Sequence, residues 1–304
     1  MDELRIGMIG LDTSHCPAFA QLLHDRAHPH HVPGARIAAA WPGGSSAFSL
    51  SHARVERFTQ QMRNEYGVEI LESIEAVAER VDAVFLESVD GRQHRAQFAA
   101  LAPFGKPVFI DKPLATSVDD ARAILDLARQ HDAPVCSFSS IRFGEAVAAL
   151  GAGQRAQGCV AFGPAELRDD FPGYFWYGIH AVEVLFSKMG TGCREVHVRA
   201  GEQADVLSGV WADGRLGAVY AHRIPRCGDF GCTVFTAGGA AQATNRGGPP
   251  DYACMLPAVL AFCRTRTSPV DLRETLEIVA FLEAANRSRA TGAPQRLAMA
   301  GGGD

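Results

Sequence analysis

Short apolar runs alternate with amphipathic stretches through the first half of the chain, and this alternation constrains the fold more than any other property of the sequence. Residues 4–9, 35–41, 68–71, 81–86, 107–110 and 134–138 have the apolar, β-branched character of buried strands. Between them, residues 18–23, 55–66, 74–80, 93–101 and 117–131 carry apolar side chains at helical spacing; the last opens on Ser117 with Asp119 and Asp120 in its first turn. Strand and helix in strict succession predict an α/β, doubly wound parallel sheet, whose ligand crevice lies beyond the carboxyl ends of the strands.

Past about Ile141 the pattern changes. Residues 195–200, 206–211 and 216–222 are strand-like and separated by turn signals such as Gly201 and Asp213-Gly214, with no room for a helix between the last two. That predicts an antiparallel sheet. A first domain over 1–138 and a second over 139–304 follow, the latter closed by helices at 252–264 and 273–288 and a loose tail from Ala300 to Asp304.

Composition narrows the partners. The 304 residues are 47% apolar, enough for two medium cores, and a net charge of -5 leaves no basic footprint for nucleic acid or an anionic membrane. No apolar run reaches the ~18 residues of a membrane span, and no basic leader precedes an apolar stretch. A cytoplasmic protein with a small-molecule partner is the expectation. Eight cysteines without C-x-x-C spacing suit reduced packing thiols, Cys227 and Cys232 included. His24, His28, His30 and His31 crowd one stretch, but run into Pro33-Gly34 as a helix end does, so no metal site is assigned.

The first strand ends in Gly10-Leu-Asp-Thr-Ser-His15, where a dinucleotide turn would carry three glycines. Gly10 supplies the first. Asp12 stands for the second, whose bare backbone normally approaches the pyrophosphate, and His15 for the third, which normally admits close helix packing. Asp12 and Ser14 suit a helix cap and a ligand role equally, and the two are compatible.

Several stretches together resemble the glucose-fructose oxidoreductase / inositol dehydrogenase (Gfo/Idh/MocA) family. Gly105-Lys-Pro-Val-Phe-Ile-Asp-Lys-Pro-Leu-Ala115 looks like its GK-hydrophobic-EKP signature with Asp for Glu. Val81-Asp-Ala-Val followed by His94, the segment Tyr177-Gly-Ile-His-Ala-Val-Glu183 and the closing Glu283-Ala-Ala-Asn-Arg-Ser288 support it.

The resemblance implies a Rossmann domain carrying NADP or NAD, a C-terminal α/β domain with an open, mainly antiparallel sheet that forms a homodimer or homotetramer interface, and hydride transfer at a hydroxyl or keto carbon of a sugar or polyol. It maps the catalytic roles onto Lys112, which steadies the substrate oxygen, and His180, which takes the hydroxyl proton. Cofactor contacts fall to Gly10, Asp12, Thr13, Ser14, His15, Gly43, Ser45, Glu87, Asp90, His94 and Asp111, and substrate contacts to Trp176, Tyr177 and Glu183. His180 and Glu183, three apart in a helix-like segment, form either a structural pair or a base with its orienting carboxylate.

The departures count as well. The family places an Asp where Trp176 stands, so one proton-transfer carboxylate is missing. After the second strand Trp41-Pro-Gly-Gly-Ser-Ser46 replaces the expected ribose-binding acid, and its amides and hydroxyls favour a 2′-phosphate, hence NADP over NAD. Asp12, His15, Glu87, Asp90, His94, Lys112 and His180 would also equip a redox-neutral lyase or hydrolase, and a ligand-binding protein on the same fold is a third alternative. The aromatic run Phe171–Tyr177 either stacks on a sugar ring or fills the domain junction.

Overall fold

The computed structural model describes residues 3–298, so the expected loose tail at Ala300–Asp304 lies outside the described residues. The described residues divide into two compact units: 3–115, 119–138 and 252–272 make the first, and 116–118, 139–251 and 273–298 the second.

In the first unit β1 (Leu4–Ile9), α1 (His15–His24), β2 (Ala35–Trp41), α2 (Ser49–Tyr66), β3 (Glu69–Ile70), α3 (Ile74–Arg80), β4 (Ala83–Leu86), α4 (His94–Leu101), β5 (Val108–Ile110), α5 (Val118–Gln130) and β6 (Val135–Cys136) follow the predicted alternation. The six strands are parallel in the order β3-β2-β1-β4-β5-β6, the doubly wound arrangement. Burial explains it: every residue of β4 and β5 is buried, as a strand covered on both faces must be. Phe19, Phe85, Phe109 and Phe138 form a continuous ring stack with centroids 5.3–6.1 Å apart, each fully buried ring contributing about 2–3 kcal/mol.

Two boundaries differ from expectation. Helix α2 starts at Ser49, six residues before 55, because its first two turns are polar and bury only Ser51 there. Helix α1 starts at His15, so the residue in the third-glycine place is already helical.

The second unit holds α6 (Glu145–Ala149), β7 (Gly158–Pro164), α7 (Gly178–Met189), β8 (Cys193–Ala200), β9 (Ala204–Trp211), β10 (Leu216–His222), β11 (Gly231–Thr236) and β12 (Gly239–Thr244). Next come α8 (Asp251–Thr265), mostly in the first unit, α9 (Leu272–Thr291) and β13 (Gln295–Arg296). Its sheet runs β12-β11-β7-β10-β9-β8-β13 and is antiparallel except where β7 meets β10. The predicted strands at 195–200, 206–211 and 216–222 are its centre; β7, β11 and β12 were hidden in Gly- and Ala-rich sequence.

Phe186 packs on Trp211 and Phe281 on one side of this sheet, and the buried Asp205 ties its end by accepting from Tyr174, Arg223 and Arg289. Of the aromatic run, Phe171, Tyr174, Phe175 and Trp176 are buried, so its main work is filling the second unit. Val206, Val210, Leu216 and Tyr220 are exposed. Among the described residues no helix is long and apolar enough to cross a membrane.

Candidate active site

Three adjacent parallel strands end in register: Ile9 of β1 pairs with Leu86 of β4, and Leu86 with Ile110 of β5. The next residues, Gly10, Glu87 and Asp111, therefore stand side by side on the carboxyl edge of the sheet. The Glu87 amide still donates to Ile9 O at 2.7 Å and the Asp111 amide to Leu86 O at 2.9 Å, which carries the strand geometry one residue further and sets where both side chains leave the sheet edge. His15 enters from the first turn of α1, its ring held between Phe19 and Tyr252.

The result is a buried acidic pair facing one imidazole. His15 Nδ1 lies 2.9 Å from Asp111 Oδ2 and 3.7 Å from Glu87 Oε2. Neither approach is aligned as a hydrogen bond, and both Glu87 oxygens lack a hydrogen-bond partner. Burial opposes the imidazolium, but the Asp111 carboxylate outweighs it and lifts His15 to about 9. Burial, with Asp111 beside it, raises Glu87 to about 7. Asp111 is held down to about 2: His15 and then Lys112 overcome the cost of its burial. Lys112 follows directly, buried at this edge and joined to Pro113 by a cis peptide.

The other predicted residues of this unit have internal partners. Asp12 is sealed; its Oδ1 accepts the Val89 amide at 2.9 Å and its Oδ2 the Ser51 hydroxyl at 2.5 Å. Burial raises its pKa against those bonds. Ser14 occupies the N-cap position of α1 without a side-chain cap, and Thr13 Oγ1 takes the His15 amide at 3.4 Å. The expected cap by Asp12 and Ser14 is thus replaced: Asp12 reaches across to α2 and the loop after β4.

Ser45 donates its hydroxyl to Asp90 at 2.6 Å and its amide to Ser51, so the expected free phosphate ligand is a loop brace. Asp90 also takes Arg92 Nε at 2.7 Å. His94 is fully buried with Nε2 2.7 Å from Ser88 O and Nδ1 2.9 Å from Pro113 O, which ties the loop after β4 to the segment carrying Lys112. The dense histidine stretch is likewise engaged: His24 Nε2 accepts the Ile37 amide and His28 Nδ1 the His30 amide.

The backbone still suits a dinucleotide. Gly10 has φ of +86° with the Ser88 backbone where its Cβ would be, so only glycine fits. Gly43, at φ +61°, packs its Cα edge toward Gly10. With Asp12 turned onto Ser51 and Val89, its carboxylate is committed to the protein, while the first-turn amides of α1 are taken within the turn, His15 by Thr13 Oγ1 and Cys16 by Thr13 O, so the helix offers a phosphate its positive dipole end rather than free amides.

Residues 4–138 match a family profile described as "Oxidoreductase family, NAD-binding Rossmann fold". This stretch belongs to the Gfo/Idh/MocA family. The matched profile describes an NAD-binding Rossmann fold of oxidoreductases over these residues. Solved structures share the fold over the whole chain. GenD2 from gentamicin A biosynthesis, solved with NAD, is 16% identical with a TM-score of 0.78, covering 97% of each chain. A probable dehydrogenase from Thermotoga maritima is 18% identical, TM-score 0.76, over 97% of this chain and 99% of that one. Myo-inositol dehydrogenase from Lactobacillus casei, solved with NAD(H) and myo-inositol, is 15% identical, TM-score 0.76, over 99% and 98%. Such identities report likeness of fold. No curated protein matches by sequence.

In the second unit, His180 sits in the first turn of α7 with Nδ1 2.7 Å from Ser139 Oγ, its ring edge-on to Tyr177 and Phe230. Ser139 was not foreseen; its only sequence signal is its place just after the last predicted strand. Glu183, expected beside His180 or the substrate, instead accepts Arg142 at 2.7 Å, and Arg142 also binds Glu274 at 2.6 Å. Burial, against the pull of Arg142, lifts Glu183 to about 7. Trp176 is buried against Phe171 and Tyr177, while Tyr177 is exposed.

Proposed function

We propose that this Gfo/Idh/MocA protein is an NAD(P)-dependent dehydrogenase or reductase acting at a hydroxyl or keto carbon of a sugar, polyol or related small molecule. The observation that carries it is Lys112 on the carboxyl edge of a doubly wound sheet whose first turn keeps the glycine geometry at Gly10. The bound nicotinamide supplies the hydride acceptor or donor. Lys112 hydrogen-bonds the substrate oxygen and stabilises it as negative charge develops. His180, with Nδ1 engaged by Ser139, takes or returns the hydroxyl proton. The first unit carries the dinucleotide and the second the substrate, with Tyr177 as a contact.

Glu87 and Asp111 act at the nicotinamide end of the first unit, His15 beside them. Asp12, Ser45, Asp90 and His94 act one step back, by holding the loops that carry Gly10, Gly43 and Lys112. The engagement of Ser45 weakens the argument for a 2′-phosphate, so NAD and NADP stand level. The exposed Val206, Val210, Leu216 and Tyr220 support a homodimer or homotetramer through the second sheet, and light scattering of the purified protein tests that. A cytoplasmic location goes with the eight free cysteines.

The buried His15-Glu87-Asp111 cluster is the specific observation that keeps a redox-neutral enzyme as the second reading. Screening polyols, sugars and their keto derivatives for change in nicotinamide absorbance separates the two. Turnover of one class with NAD or NADP supports the dehydrogenase; dinucleotide-independent conversion supports the alternative.

A further inference from the structure

We propose that His15, Glu87 and Asp111 bind one divalent first-row transition-metal ion, with Zn²⁺ as the probe, at the carboxyl ends of β1, β4 and β5. The inference stands apart from the dinucleotide reading, since it needs only the first unit's own side chains.

The donor set is the first argument. His15 Nδ1 and one oxygen each of Glu87 and Asp111 lie within 4.8 Å of one another, and among the described residues this is the one such grouping. One imidazole and two carboxylates suit borderline cations of the zinc, iron or manganese kind. Three protein ligands also leave a coordination position for water or a substrate oxygen, the pattern of catalytic sites.

The second argument is the unpaired Glu87. Its side chain is 0% exposed, and neither oxygen has a hydrogen-bond partner. A buried carboxylate without donors is a poor resting state for an anion, which a cation seated against it would relieve. Both oxygens belong to the same pocket as His15 Nδ1, which is itself without an aligned partner.

Geometry is the third. Metal bonds of about 2.1 Å at tetrahedral angles set ligand atoms roughly 3.4 Å apart. His15 Nδ1 is 3.7 Å from Glu87 and 2.9 Å from Asp111, so these two spacings each lie within about half an ångström of that value, and the three donor atoms all lie within 4.8 Å of one another. Phe19 and Tyr252 flank the imidazole, and the strand-end backbone hydrogen bonds of Glu87 and Asp111 set both residues side by side on the sheet edge. His15 and Asp111 keep 11% and 7% of their side chains exposed, which gives the ion an entry path.

The test is calorimetric titration of the chelator-stripped full chain with Zn²⁺ in the absence of dinucleotide, with bound metal counted by mass spectrometry after gel filtration. One ion per chain at micromolar affinity or better is expected, weakened at least roughly tenfold by Glu87→Gln and by Asp111→Asn, and unchanged by the double change His28→Ala/His30→Ala. Failure of the native chain to hold a stoichiometric ion overturns the proposal, as does loss of binding in the His28/His30 variant with retention in Glu87→Gln. Should the carboxylate variants not fold by circular dichroism, Co²⁺ decides: visible bands of nitrogen and oxygen ligation support the site. A thiolate charge-transfer band would place the ion on a cysteine and overturn it. Because no dinucleotide is added, a negative result leaves the dehydrogenase reading untouched, and a protein that binds Zn²⁺ but no NAD(P) would separate the two the other way.

Discussion

Asp12 Oδ1 accepts the backbone amide of Val89 at 2.9 Å, joining the turn after β1 to the loop after β4 across 77 positions of sequence. With Ser51 on its other oxygen, this carboxylate is a brace between three segments of the first unit. It stands at the position of a conventional glycine and is committed to Ser51 and Val89.

Removing the brace therefore costs stability. Asp12→Ala leaves the buried Val89 amide and Ser51 hydroxyl unmatched, and a loss of about 2–4 kcal/mol is expected by urea unfolding, with Asp12→Asn losing less than half of that. Equal stability of native and Asp12→Ala proteins would show that the brace is idle. For the same reason Asp12→Gly is a poor probe of the dinucleotide turn, since it removes the frame along with the charge.

Lys112→Ala should lower turnover by on the order of a hundredfold or more while changing the dinucleotide Kd less than about threefold, because the ammonium acts on the reacting oxygen. Equal losses in both would make Lys112 a cofactor anchor instead.

Ser139 holds His180 at Nδ1, so Ser139→Ala should cost roughly tenfold in kcat with KM little changed. An unchanged kcat with only a lower Tm would reduce Ser139 to a structural part.

Glu183 gives a pH-dependent stability. Its folded value of about 7 lies above the ordinary carboxyl value of 4.5, so the folded state holds this proton longer than the unfolded chain. The contribution is whole below pH 4.5 and is lost as pH rises through 7, on the order of 3 kcal/mol. Denaturation at pH 4.5, 6 and 7.5 should show that component in the native protein and its absence in Glu183→Gln; parallel curves would refute it.

Most of the first unit was legible because its strands are buried on both faces and read as continuous apolar runs, as in residues 83–86 and 108–110. In the second unit β12 was invisible, since Gly239–Thr244 offers mainly Ala, Gly and polar residues on an exposed edge. Of the site, Glu87, Asp111 and Lys112 could be placed because topology puts residues after strands at the crevice. The partners could not: His15 meets Asp111, and His180 meets Ser139, through side-chain directions between positions tens of residues apart, which no local periodicity encodes. Glu183 misled for the opposite reason. Its i, i+3 spacing to His180 is real, but Arg142 from another segment claims the carboxylate.

The most direct test is calorimetric titration of the unmodified protein with NAD(H) and NADP(H). A turn that keeps Gly10 and turns Asp12 onto its own frame predicts one site per chain with micromolar affinity for at least one of the pair. No detectable binding of either would contradict the dehydrogenase account and make the redox-neutral reading the one to pursue.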